Sequence, residues 1–125
     1  EDAFNRGDYE TALSEWRVLA ELGDKWAQND LGLMYQNGYG VKQNSETALK
    51  WYQLSAEQGE TVAQQNLARL YYSGIMEDYI YSYMWAHLSD EASLILSLPV
   101  FMSTEDISKA KNLAIECLEK NYKGC

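Results

Sequence analysis

Ala27-Gln-Asn-Asp-Leu31-Gly32-Leu-Met-Tyr35-Gln-Asn-Gly38-Tyr-Gly40-Val41, followed by Asn44-Ser-Glu-Thr-Ala48-Leu-Lys-Trp51-Tyr52-Gln-Leu-Ser-Ala56-Glu-Gln-Gly59, decides the fold of this 125-residue chain. Ala27, Leu31 and Tyr35 recur at steps of four and share one helix face. Gly38 and Gly40 end that helix, because glycine adopts the left-handed conformation a helix terminus needs. Asn44 is a fitting N-cap for a second helix, with Glu46 in its first turn. Ala48, Trp51, Tyr52, Ser55 and Ala56 mark the buried face of that helix, and Gly59 closes it. The unit is helix, glycine-rich turn, helix, short turn. Small residues (Ala27, Gly32, Ala48, Ala56) let helices approach, and Leu31, Tyr35, Trp51 and Tyr52 fill the space between them.

The same signals return 36 residues away. Laying 12–38 over 48–74 pairs Ala12 with Ala48, Leu13 with Leu49, Ala20 with Ala56, Glu21 with Glu57 and Gly23 with Gly59. It also pairs Ala27 with Ala63, Gln28 with Gln64, Leu31 with Leu67, Tyr35 with Tyr71 and Gly38 with Gly74. A period of this length is the mark of stacked supersecondary units, none of which buries its apolar face alone. The expected fold is all-α: a right-handed superhelix, or α-solenoid, of helix-turn-helix repeats with a C-terminal capping helix. Helices are expected near 8–22, 26–37, 45–58, 61–73, 78–90 and 104–120. One solenoid domain over 1–125 is expected, with a partial repeat at 1–24, a complete one at 25–60, a divergent one at 61–92, and a linker and capping helix at 93–125. From Gly74 to Ser82 the turn is two residues shorter than from Gly38 to Ala48. Tyr79-Ile-Tyr-Ser-Tyr alternates like a strand, but Met84-Trp85 continues the helical alignment with Lys50-Trp51, so a helix is expected there. Ser103 is a fitting N-cap for the last helix, whose outer face should be polar, as a terminal solenoid helix requires.

The pattern A-x-x-x-L-G-x-x-Y-x-x-G-x-G-V, then A-x-x-W-Y-x-x-[AS]-A-x-x-G, resembles the Sel-one-like repeat, a relative of the tetratricopeptide repeat. The unit at 27–59 carries it nearly throughout; the unit from 61 keeps Ala63, Leu67, Tyr71, Gly74, Trp85 and Leu88. Gly7-Asp8-Tyr9-x-x-Ala12 resembles the middle of a tetratricopeptide unit. The resemblance implies a non-catalytic protein- or peptide-binding adaptor working through a concave face lined by first helices. Secreted bacterial members often end in a helix like 104–120, which implies a periplasmic or secreted setting, the alternative being cytoplasmic. Some cysteine-rich relatives are linked to penicillin binding and β-lactam hydrolysis, so a β-lactam-type hydrolase is a further alternative that the resemblance implies. They carry a cysteine pair in most units, whereas 27–59 and 61–92 contain none.

With Leu31 and Tyr35 turned to the core, ligand-facing positions of the first helices fall at Trp26, Asn29, Leu33 and Gln36, and in the next unit at Val62, Gln65, Arg69 and Tyr72. Amides satisfy the backbone of an extended peptide or the hydroxyls of a sugar, so binding of a cell-wall glycan or peptidoglycan fragment is the alternative function. Arg69 suits a carboxylate.

Ten basic and nineteen acidic residues give a net charge of −9. Such a surface repels phosphate backbones and anionic lipid, so nucleic acid is excluded as a partner and a basic protein or peptide is favoured. The longest apolar-rich stretch, Leu94 to Met102, is too short to span a membrane and is interrupted by Pro99. The chain starts at Glu1, without methionine and inside a repeat, and is expected to be a processed or trimmed form whose missing leader carries no information. Cys117 and Cys125 are expected to pair, because Gly124 lets the tail turn back; two unpaired thiols are the alternative. Pairing implies an oxidising compartment. Two cysteines and the single His87 do not make a zinc site, so no metal and no cofactor is expected. His87 lacks a catalytic partner, since Ser89 does not share its helix face, and no phosphate loop, H-E-x-x-H or nucleophile elbow is present.

Overall fold

A computed structural model describes residues 2–5, 7–73 and 78–125. The turn read at Gly74 lies outside them. The described residues form helices and turns without a strand: α1 (Asp2–Asn5), α2 (Tyr9–Glu21), α3 (Lys25–Asn37), α4 (Ser45–Ala56), α5 (Thr61–Tyr72), α6 (Tyr79–Ser89), α7 (Ala92–Ser97), a 3-10 turn (Leu98–Phe101) and α8 (Thr104–Glu119). Six of these match the expected helices to within two residues at each end. Tyr79–Ser89 is helical, as the alignment of Trp85 with Trp51 requires. The chain is thus an all-α solenoid of helix-turn-helix repeats.

Starts and stops follow local chemistry. Asp24 and Asn44 accept from the backbone N–H groups of Ala27 and Thr47 at 2.9 and 3.0 Å, capping α3 and α4. Ser103 does the same for α8 through Asp106 at 3.0 Å. Gly38 ends α3 in the left-handed conformation, with φ of 73°.

The described contacts group the chain into two compact units, Glu1–Ser55 and Ala56–Cys125. In the first, Ala12, Trp16, Ala20, Ala27, Leu31 and Met34 form a buried core, against which Phe4, Tyr9, Tyr39 and Trp51 pack. Tyr9 and Tyr39 stack with centroids 4.8 Å apart. Gly40 makes this stacking possible. Its φ is 71°, and a methyl there would lie 2.9 Å from the Cβ of Tyr9 and 3.0 Å from its backbone carbon. Tyr52 is fully buried over Gly32, and its hydroxyl donates to Gln36 Oε1 at 2.6 Å. Tyr35, expected in the core, is only half-buried, because its hydroxyl reaches outward to accept from Arg17 at 2.8 Å.

The second unit is centred on α6. Tyr83, Met84, Trp85 and Ala86 are buried consecutively, so this helix is covered on most sides, by α5, α7 and α8. Ser82 Oγ donates to the Ala68 carbonyl at 2.6 Å, a close approach of two helices at a small residue. The repeat identity of Gln28 and Gln64 has a structural basis. Each amide is buried and donates to a carbonyl eight residues back, Ala20 at 3.1 Å and Ala56 at 3.2 Å. Each ties the start of a first helix to the end of the preceding second helix, as a second donor to a carbonyl that already accepts from the closing glycine, Gly23 or Gly59.

Two features of residues 93–125 differ from expectation. The linker contains α7 and a 3-10 turn, with Leu94 and Leu98 buried at a spacing of four, the register of Ala63 and Leu67 in α5. Pro99 near the start of the 3-10 turn removes one N–H and so shortens the helix. The outer face of α8 is also not wholly polar: Ile115 and Leu118 are 57% and 55% exposed.

Candidate functional site

The eight expected ligand-facing residues fall on two helices in two units. On α3, Trp26 is 63% exposed, with the Lys25 ammonium 5.0 Å from its ring centroid. Asn29, Leu33 and Gln36 are half-buried. Leu33 lines a cavity of about 190 Å3 with Phe4, Asn5, Trp16 and Asp30. Gln36 serves the packing of its own unit, since its Oε1 holds the Tyr52 hydroxyl and its carbonyl accepts from Gln43 at 2.7 Å.

On α5, Val62 is 50% exposed and matches Trp26 in the repeat. The other three each meet α6 or the segment that follows it. Gln65 donates to the Ser89 carbonyl at 3.4 Å. Arg69 forms an ion pair with Glu91, whose other oxygen accepts from Ser93 Oγ at 3.0 Å. Tyr72 lies 6.2 Å from the Phe101 ring and 6.0 Å from that of Tyr79. The carboxylate foreseen for Arg69 is therefore supplied within the chain. The guanidinium remains half-exposed and Glu91 is largely covered, so a ligand can approach Arg69 from its open side.

The sequence reading missed Leu96, Val100 and Phe101, which are 79%, 81% and 55% exposed. Their signal was present: residues 92–101 carry no charge, and apolar side chains occupy both the Leu94/Leu98 register and the Leu96/Val100 register.

His87 is exposed, with its ring 6.2 Å from that of Tyr83. Ser89 is buried and its hydroxyl donates to the Trp85 carbonyl at 2.7 Å, so it is turned to the helix backbone. Tyr71 titrates above its ordinary range, chiefly because burial disfavours the phenolate, with Asp78 and then Tyr81 adding to the effect. Cys117 and Cys125 lie close enough to form a disulfide, with Cα atoms 5.6 Å apart. Between them Asn121, Tyr122 and Gly124 have φ of 53°, 67° and 72° and turn the chain back, which lays the Tyr122 ring against Gly59. Among the described residues no cluster of His, Cys, Asp and Glu is placed to hold a metal ion, and no helix is long and apolar enough to cross a membrane.

Paired helices repeating at this register, each first helix carrying a buried glutamine at the same position, define a helical-repeat protein of the tetratricopeptide-like class. The Sel1 repeat family model matches residues 27–60 and 61–89, just over half of the chain, and the chain belongs to that family. No curated protein matches at a significant level. Among solved structures, the chain is similar to a protective antigen present in uropathogenic Escherichia coli strains, described as displaying an SLR fold. The two are 25% identical with a TM-score of 0.83, over 92% of this chain and 27% of the antigen's. The chain thus spans about a quarter of that protein's length. Sel1 repeats are generally scaffolds for protein interaction and are typically non-catalytic.

Proposed function

We propose that the chain is a non-catalytic adaptor that binds a protein or peptide through the outward faces of its first helices, Trp26, Asn29, Leu33 and Gln36 on α3 and Val62, Gln65, Arg69 and Tyr72 on α5. The observation that carries this reading is the exposure of Trp26 and Val62. They are equivalent positions of successive repeats, both large and apolar, and both at least half in water. On each helix an exposed apolar residue beside an amide suits a peptide whose side chain meets the apolar position while its backbone meets the amide. Trp26 beside Asn29 also supports glycan binding as a second reading, since an exposed indole can stack on a sugar ring.

Once a partner has been captured, calorimetry on point variants tests the site. Trp26→Ala, Arg69→Ala and Tyr72→Ala are each expected to weaken binding by about 1–2 kcal/mol, as truncation of an anchor does. His87→Ala should change it little. If His87→Ala abolished binding while the other three behaved as the parent, the first-helix faces would be the wrong site.

A periplasmic or secreted setting is part of the proposal. It is supported by the cysteine pairing and by the likeness to a bacterial antigen. Protein purified without reductant should resist alkylation and take up two alkyl groups after reduction, as read by intact mass. Reduction should lower stability by about 2–3 kcal/mol, the chain-entropy cost of opening a loop this short. Two thiols that alkylate freely in the oxidised, folded protein would remove both the bridge and the support it gives this location.

A further inference from the structure

Residues 92–101 form a short helix and 3-10 turn that are apolar on both sides. Leu94 and Leu98 are buried in the second unit. Leu96 and Val100, two positions on and so on the opposite face, are each about four-fifths exposed. Phe101 adds an exposed edge, while its ring stacks on Tyr79 at 5.5 Å. A helix that is apolar all round is ordinarily buried, and clustered exposed apolar residues mark interaction surfaces.

The charges around this face select its partner. No charged residue occurs between Glu91 and Glu105. Glu91 is committed to Arg69. Beyond Phe101, Glu105, Asp106 and Glu116 line an open depression of about 540 Å3 on α8, with Lys109 as its only cation among the described residues. The chain leaves the apolar face at Phe101 and enters α8 four residues later at Glu105 and Asp106, on a molecule of net charge −9. A second copy is disfavoured, because two such faces would bring like carboxylates together. An anionic bilayer is disfavoured for the same reason.

We infer that the Leu96/Val100/Phe101 face docks a basic amphipathic peptide segment, its apolar side on these three residues and its lysines or arginines toward Glu105 and Asp106. This rests on the reading of the chain as a peptide-binding module and names its partner's chemistry, but it does not use the α3 or α5 positions.

The probe is a labelled 14-residue helical peptide of leucine and lysine with all leucines on one face. Its controls are the same composition in scrambled order and a leucine–glutamate counterpart. Binding is followed by fluorescence anisotropy at physiological salt. The parent chain should bind the leucine–lysine peptide and neither control. Leu96→Ser with Val100→Ser should weaken binding about tenfold or more. Glu105→Gln with Asp106→Asn should weaken it several-fold and flatten its salt dependence. All four positions are partly or largely exposed, and thermal melts by circular dichroism check that the variants stay folded. Absence of binding by the parent, or equal binding of either control, overturns the proposal. If Trp26→Ala and Val62→Ala abolish binding while the Leu96/Val100 variant retains it, peptide binding survives but this face is not its site. Sedimentation showing self-association that the Leu96/Val100 variant loses would assign the face to a second copy. Co-flotation with anionic vesicles, lost in the same variant, would assign it to lipid, and either result also overturns the proposal.

Discussion

Tyr52→Ala is expected to destabilise the protein by about 3–5 kcal/mol, the range for emptying a buried aromatic site, and to reverse the effect of a second substitution, Gly32→Ala. Tyr52 is fully buried and its hydroxyl is bonded to Gln36. Its ring occupies the space that a side chain at position 32 would need: a methyl on Gly32 would lie 2.5 Å from both Cδ1 and Cε1. In the parent chain Gly32→Ala gains about 1 kcal/mol of helix propensity, but forces a buried ring off its seat, which costs about 1–3 kcal/mol. The ring cannot retreat into solvent, so the clash wins and the variant is less stable. In the Tyr52→Ala background the obstruction is gone and the propensity gain of about 1 kcal/mol remains. Urea unfolding of the four proteins completes the cycle. A Gly32→Ala variant more stable than the parent would show that this packing is not as described.

The second large effect is at Trp85. Trp85→Ala should cost about 3–5 kcal/mol, because the indole is fully buried in the helix that most of the second unit surrounds. Trp85→Phe should cost clearly less than the alanine change. Its indole N–H has no hydrogen-bond partner among the described residues, so phenylalanine keeps most of the apolar contact and removes a buried donor that was unsatisfied. Equal losses for the two variants would mean that the N–H has a partner of real worth.

These positions also show what a sequence can disclose. Gln28 and Gln64, Ala27 and Ala63, and Leu31 and Leu67 serve one purpose in each repeat, so a pattern kept at a fixed period exposes it. N-caps at Asn44 and Ser103 are legible because their chemistry is local. The segment after α6 was harder. Ten residues are too few to set a helical period, and Pro99 drew attention to an interruption, whereas the Leu94/Leu98 pair marks a buried helix face. The ion pair of Arg69 with Glu91 depends on the path of the intervening chain, which no local rule supplies. The half-exposure of Tyr35 depends on Arg17 reaching its hydroxyl. Of the candidate site, the register that turns Trp26 and Val62 outward was readable. The internal partners of Gln36, Gln65, Arg69 and Tyr72 were not.

The buried glutamines carry a consequence for how the chain acquires its structure. Gln28 and Gln64 each reach only eight residues back, and α5 and α7 pack on α6, their neighbour in sequence. Contacts of such short range are made quickly, since little chain must be closed to form each one. A ribosome-bound chain could therefore consolidate its helix pairs in order as they emerge. Packing of α8 on α6 comes later, and Tyr122 reaches further still, its ring resting on Gly59 at the opposite end of the second unit's sequence. That closure must wait for residues 120–125, so folding of the second unit finishes at the turn between Cys117 and Cys125.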